Sequence, residues 1–431
     1  MIRIIRHHEA LVIHELLERL RARGVAFDSE LMTAVAAIIA DVRERDDDAL
    51  IDYTARFDGV ELQPEQLRIS EQTLNASADK VDPRVLAALH EAINNVRAFH
   101  EQQVEQSWEI SPADGVRLGQ RITPLDRVGL YVPGGTAAYP SSVVMNVVPA
   151  QVAGVKRIVV ATPPRTLTEN PAVAAALRTL NVTEIYGVGG AQAIAALAFG
   201  THTVPRVDKI TGPGNKYVAA AKKLVFGVVG IDAIAGPTEV VIIADDTARA
   251  DFIAADLLAQ AEHGEDAAAI LFTTSEVLAH AVNKEVEHQI ESLPRGAIAA
   301  ASLKNYGAIV VLNSMVEVCP ITNWIAPEHL QIVTEDDDAI AAQIHDAGAI
   351  FFGQNTPEAV GDYLAGPNHV LPTGRAARFS SALGVYDFVK RTSLLRYSAE
   401  AFSKVWDSIA VLAECEGLVA HARSATIRNH K

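Results

Sequence analysis

Apolar positions along this chain switch between helical and strand spacing, and the switching lays out its elements. Ile13, Leu16, Leu17 and Leu20 recur at helical intervals, which predicts an amphipathic helix over residues 4–24 closed by Gly24. Further helices are expected over 28–45 and 48–57, and a long one over 83–103 with Asp82 as its N-cap. Between Trp108 and Tyr131 the runs VRLGQRI and VGLYV, broken by Pro and Gly, read as strands that lead into a loop at residues 132–136. From there to Gly230, strand patterns at 157–161, 184–187 and 207–210 alternate with helical ones at 171–180, 191–199 and 216–224. Such alternation builds a parallel sheet covered by helices on both faces. A second series places strands at 240–244, 269–272, 309–312 and 349–352, separated by helices. After Gly384 the pattern turns helical, over 399–413 and 417–428. The expected fold class is α/β: two Rossmann-like parallel-sheet domains of similar build, with small helical N- and C-terminal appendages. The likeness of the halves hints at duplication, although no residue-level repeat supports it.

The stretch 231–264 organises the second half. Val240 to Ala244 has the continuous apolar character of a fully buried strand. In the helix that follows, Ile253, Leu257 and Ala261 form one stripe, while Asp256, Gln260 and His263 form another. Gln260 and His263 can reach a single ion from one helical face; alternatively the stripe faces solvent, the reading kept for Asp256. Composition narrows the classes. The chain has 431 residues, 49% hydrophobic and 21% charged, with no apolar run long enough to cross a bilayer. Its N-terminus lacks the features of an export signal, so a soluble cytoplasmic protein is expected. Cys319 and Cys415 are the only cysteines, which argues against a disulfide framework and leaves N and O ligands for any metal. A net charge of -16 disfavours nucleic acid and anionic membranes as partners.

Chemistry-bearing residues cluster in the C-terminal half. In WIAPEHL, at 324–330, Pro327 precedes the adjacent acid and base Glu328 and His329, which a helix start or a loop must present together. A Gly- and Pro-rich loop at 361–369 carries Asp362 and His369, and EGLVAH at 416–421 carries Glu416 and His421. Two His, one Asp and one Gln suffice for a four-ligand N/O zinc site, leaving the remaining His and Glu residues for proton transfer and substrate contact. Farther upstream, VGGAQ at 188–192 and TGPGN at 211–215 join strands to helices, where backbone amides can meet anions. Both lack the third glycine of the dinucleotide fingerprint, so each is equally a structural turn.

Taken together, YVPGG from Tyr131, VGGAQAIAALAFG from Val188, GPGN from Gly212, AGPTE from Ala235, QAEHG from Gln260, APEHL from Ala326, GPNH from Gly366 and EGLVAH from Glu416 closely resemble the histidinol dehydrogenase family along nearly the whole chain. The resemblance implies oxidation of L-histidinol to L-histidine through L-histidinal, the last steps of histidine biosynthesis, with two hydrides passed to NAD. It places one Zn2+ per active site on Gln260, His263, Asp362 and His421, and proton transfer on Glu328 and His329. Substrate contacts fall on Thr238, Gln260, His263, His329, Asp362, His369, Glu416 and His421, and NAD contacts on Tyr131, Gln192 and Asn215. Thr238 stands where some members have Ser and keeps the hydroxyl. The family also implies a homodimer in which the C-terminal tail reaches the partner's active site. The domains expected on this basis are an N-terminal helical arm (1–26), a zinc/substrate domain (27–130 with 238–383), an NAD-side domain (131–237) and the tail (384–431). His329 is expected to work as a neutral imidazole near its ordinary pKa of about 6.5. Without the resemblance, a zinc hydrolase acting on a small polar substrate is the alternative, since Zn2+ beside a Glu also describes activated water.

Overall fold

Strand β1 (Ile4–Arg6) precedes the first helix, Ala10–Arg21, in a computed structural model that describes residues 2–23, 27–134 and 139–429. Gly24, expected to close that helix, and Gly135 and Thr136 of the 132–136 loop lie outside the described residues. Helices Ser29–Arg45, Asp47–Asp58, Glu71–Ala78 and Pro83–Glu101 follow, then β2 (Trp108–Ile110) and β3 (Val116–Pro124). Strands β4 (Arg127–Tyr131), β5 (Arg157–Thr162), β6 (Glu184–Gly187), β7 (Lys209–Thr211) and β8 (Gly230–Ile231) come next. The second series is β9 (Glu239–Ala244), β10 (Ala268–Thr273), β11 (Ala308–Val311), β12 (His329–Val333) and β13 (Ala349–Phe352), and β14 (Val389–Tyr397) with short helices ends the chain.

The chain divides into two compact units, Met1–Gln103 with Asp126–Phe388, and Val104–Leu125 with Val389–Lys431. In the first, two parallel sheets run in the orders β6-β5-β4-β7-β8 and β1-β11-β10-β9-β12-β13. Counted from β4 and from β9, both follow the 3-2-1-4-5 order of doubly wound sheets. The similarity of the halves therefore lives in topology. Period-two alternation explains how β9 serves two cores: Val240, Ile242 and Ala244 join the cluster on one face, Val241 and Ile243 the other. Ile242 is fully buried in register with Leu271 of β10. Ile242→Ala is expected to cost about 2–5 kcal/mol, measured as a lower denaturation midpoint with an unchanged far-ultraviolet circular dichroism spectrum.

Residues 4–6, expected to open the first helix, pair instead with β11. There Ile5 is buried in one core and Ile4 packs against the other, a two-sided burial that a surface helix cannot supply. Helices Ser29–Arg45 and Asp47–Asp58 contribute Leu31, Val35 and Leu50 to the core shared with Tyr131 and Val159 of the five-stranded sheet. In the second unit β3 pairs antiparallel with β2 and β14, so the tail, expected to be helical, supplies a nine-residue strand before its helices Ala399–Ser403, Trp406–Cys415 and Val419–Thr426. No described helix is long and apolar enough to cross a membrane.

Candidate active site

The starts of β9 and β12 lie side by side, with His329 in register with Val240. Glu328 sits in the loop before β12 and His329 is the strand's first residue, so no helix begins at Pro327 and Glu328 as one reading of the sequence allowed. The buried run HLQIV favours a central strand. Entry to it is forced by the preceding helix, Met315–Ile325, which ends in a left-handed Ala326 (φ 49°). The carbonyls of Pro327 and Glu328 accept from the N–H groups of Gly348 and Ala349 at 2.9 and 3.0 Å. A Cβ on Gly348 would lie 2.5 Å from the Glu328 carbonyl oxygen, so only glycine permits this approach.

A directed hydrogen-bond chain orients the acid and base. The Thr238 hydroxyl donates to Glu328 Oε2, which also accepts the Glu239 N–H at 3.0 Å. With its proton committed, the Thr238 oxygen accepts from Gln260 Nε2 at 2.8 Å, leaving Gln260 Oε1 buried without a partner. His329 Nδ1 lies 3.3 Å from the Glu239 carbonyl, which can only accept, so Nδ1 carries a hydrogen and Nε2 is the open nitrogen. Glu358 Oε1 and Glu328 Oε2 stand 3.6 and 3.7 Å from Nδ1, and Asp362 Oδ1 3.8 Å from Nε2. Burial by itself would lower the pKa of His329, but Glu358, Glu328 and Asp362 outweigh it and raise it to about 10. The surrounding carboxylates thus favour the imidazolium, whereas the sequence alone suggested a ring near its ordinary pKa. Burial raises Glu358 to about 8, helped by Asp362 and Glu328 and opposed by His329. Burial would also raise Asp362, but its contact with His329 holds it below the usual range.

Gln260 comes from the last turn of helix Ala250–Ala261, and His263 from the turn just beyond it. Helix Glu358–Tyr363 presents Glu358 and Asp362 one turn apart. Ligand atoms of His263, Glu358 and Asp362 all lie within 4.8 Å of one another, and Glu358 Oε2, like Gln260 Oε1, is buried without a partner. Two orphaned buried oxygens beside a His and a second carboxylate suit a divalent cation with N/O ligands, Zn2+ among them. Sequence patterns did not single out Glu358; its i, i+4 spacing to Asp362 was the available signal. Asp256, expected at the solvent face, is only 9% exposed, because its stripe of the helix turns inward. His369 Nδ1 donates to the Asp362 carbonyl at 3.0 Å, and Asn368 beside it is anchored to the Met145 carbonyl at 2.6 Å. Thr238, His263, Glu328, His329, Asp362 and His369 line one cavity of about 280 Å3. Glu416 and His421 belong to the second unit. Both are exposed, Glu416 just after helix Trp406–Cys415 and His421 within Val419–Thr426.

Tyr131, Gln192 and Asn215 line a larger cavity of about 820 Å3 at the carboxyl ends of the five-stranded sheet, where doubly wound folds bind ligands. Tyr131 hydroxyl accepts the Gly190 N–H at 3.0 Å, and Asn215 caps helix Lys216–Val225. Packing also brings Tyr53, Phe57 and Asp58 to this cavity, from a helix with no motif to mark them. Its size suits a dinucleotide, and a Cβ on Gly189 would strike the Pro163 ring at 2.9 Å, so glycine lets this turn pack against Pro163 in the cavity wall. By contrast, the Glu328–His329 pair occupies the amino ends of its strands, opposite to the usual rule. Gly214 lines the smaller cavity and Asn215 the larger, so the two adjoin at this turn.

Comparison with known proteins agrees. The histidinol dehydrogenase family model matches residues 21–429. Histidinol dehydrogenase from Geobacillus kaustophilus is 55% identical over 403 residues, spanning 93% of this chain and 95% of the relative. That from Listeria innocua is 52% identical over 96% of both chains. The crystal structure of histidinol dehydrogenase from Elizabethkingia anophelis superposes with a TM-score of 0.92 at 36% identity, covering 99% of this chain and 98% of the other.

Proposed function

The chain belongs to the histidinol dehydrogenase family, and from that premise we propose that it oxidises L-histidinol to L-histidine through L-histidinal, with NAD as hydride acceptor and Zn2+ in the site. The observation that carries the reading is the buried Glu328–His329 pair set against the unsatisfied oxygens of Gln260 and Glu358. Gln260, His263, Asp362 and His421 would hold the metal. Bound there, Zn2+ supplies a positive centre for the substrate's nitrogen atoms and offsets the carboxylates that keep His329 protonated.

His329 Nε2 takes the hydroxyl proton of histidinol as hydride leaves the carbinol carbon for NAD, giving the aldehyde. Glu328 then takes a proton from water as it adds to that aldehyde, and His329 returns its proton to the aldehyde oxygen, so that a gem-diol forms and the ring is again a base. From the gem-diol, His329 accepts one hydroxyl proton as the second hydride departs to a second NAD, leaving the carboxylic acid, which loses its remaining proton to water as the carboxylate product. Thr238 holds Glu328 in place and lines the substrate cavity, where His369 adds a polar contact. Glu416 would hold the substrate's ammonium or imidazole N–H, a charge-assisted contact worth about 1.5–3 kcal/mol.

The same reading makes the enzyme a homodimer in which Glu416 and His421 of one copy complete the site of the other. In support, the second unit exposes Leu395, Leu412 and Val419 by about two-thirds or more of their area, 73%, 67% and 71%. A cytoplasmic location is part of this proposal, since Cys415 is exposed and unpaired and suits a reducing compartment. The zinc hydrolase alternative is not favoured, because hydrolysis needs no dinucleotide-sized cavity.

Mixing enzyme, histidinol and excess NAD should yield two NADH per histidinol, followed by absorbance; no NADH would refute the reading. Chelation should abolish turnover and added Zn2+ restore it, while Asp362→Ala should purify with less zinc by metal analysis. Full activity of a zinc-free preparation would rule out the metal's part.

A further inference from the structure

Arg23 lies just past the first helix, far in sequence from the residues of the candidate active site, yet it is 7% exposed. Its Nη2 donates to the carbonyls of Pro237 and Thr238 at 3.0 and 2.7 Å, and its Nη1 to Glu239 Oε2 at 3.4 Å. The guanidinium also lies 5.2 Å from the ring centroid of Tyr306. On the far side of Glu239, Oε1 accepts the Gly374 N–H at 3.2 Å. A buried charge persists when it is paired and hydrogen-bonded. Here both terminal nitrogens of Arg23 engage the segment Pro237–Glu239, with Nε left without a partner, and that segment supplies the Thr238 hydroxyl and Glu239 N–H that bind Glu328 and the Glu239 carbonyl that receives His329 Nδ1.

We infer that Arg23 is a positioning residue for the proton-transfer pair, clamping the Pro237–Glu239 segment so that its hydroxyl and backbone groups hold Glu328 and His329 in register. The inference rests on the proposed roles of those two residues. Arg23 suits this task better than lysine does, because a planar fork reaches two successive carbonyls and a carboxylate at once. It also brings positive charge to a crowded acidic site. The charged groups near Glu328 are Arg23 from the N-terminal segment, Glu239 of β9, Glu358 from helix Glu358–Tyr363 and neighbouring His329.

The split between kcat and KM makes the test specific. Arg23→Met keeps an apolar stem in the buried space but loses the fork and the charge. Its kcat per folded enzyme should fall at least about tenfold, with KM for NAD and for histidinal changed less than about twofold. Arg23→Lys keeps the charge without the fork and should recover only part of that loss. A loss of stability alone would lower the amount of folded enzyme and leave kcat per folded enzyme at the parental value. A kcat of folded Arg23→Met within about twofold of the parent, or full recovery by Arg23→Lys, overturns the inference. If Arg23→Met does not fold, Arg23→Lys decides: a parental kcat in that variant overturns it. Glu328→Gln separates the two levels. Parental activity in that variant removes the proposed role of Glu328 itself, whereas an impaired Glu328→Gln beside a parental kcat in Arg23→Met removes only the role of Arg23.

Discussion

His329→Asn is expected to lower turnover of histidinol by about 10²–10⁴-fold while the protein stays folded and retains its zinc. The substitution is apt because of how the ring is held. Nδ1 faces the Glu239 carbonyl at 3.3 Å, so an asparagine amide can keep a donor there, and the loss falls on Nε2, which has no partner in the buried site. Nε2 is the atom that takes the hydroxyl proton in the proposed reaction. In the proposed reaction His329 meets the substrate as a base rather than through bulk contact, so kcat should carry most of the change and KM little of it. Steady-state kinetics with metal analysis of the same preparation provide the check. Turnover within tenfold of the parent would remove His329 from the role of base.

Glu328→Gln is expected to separate the two oxidations. Its carboxylate accepts from the Thr238 hydroxyl and the Glu239 N–H, and a glutamine carbonyl can accept both, so the loop should keep its shape. What disappears is the capacity to take a proton from water. Oxidation of supplied histidinal should slow by about 10²–10⁴-fold, the first hydride should be affected much less, and the early NADH yield should fall from two per histidinol toward one. A first step slowed more than the second, in single-turnover measurements, would assign Glu328 elsewhere.

Much of this site is local in the chain, and for that reason the residues were legible. Gln260 and His263 stand at helical spacing, Glu328 and His329 are adjacent behind a proline, and Asp362 and His369 lie seven residues apart, although Asp362 belongs to helix Glu358–Tyr363 and not to the loop expected at 361–369. Each group also belongs to a motif that resembles one family, and the family match over residues 21–429 bears that resemblance out. Glu358 escaped because a single Glu one turn before Asp362 resembles any solvated helix face; only burial at 5% exposure distinguishes it. Asp256 failed for the same reason in reverse, since periodicity reports that a stripe is polar and cannot report what lies above it.

The sequence by itself determined the α/β class, most strands and helices of both halves, though not β1, β8 or β12, and the family, because these follow from local periodicity and from motifs of a few residues. Only the tertiary structure decided that the two halves share the 3-2-1-4-5 strand order, that Ile4–Arg6 join the six-stranded sheet, and that His329 opens β12 at the amino end of that sheet. It alone decided which charges surround His329, carboxylates about 30 residues downstream brought within 4 Å, and the reach of Arg23 to a segment more than 200 residues away. The physical reason is common to all of these: hydrogen bonds, burial and Coulomb interactions act over ångströms in space, and the fold alone sets which distant residues come that close.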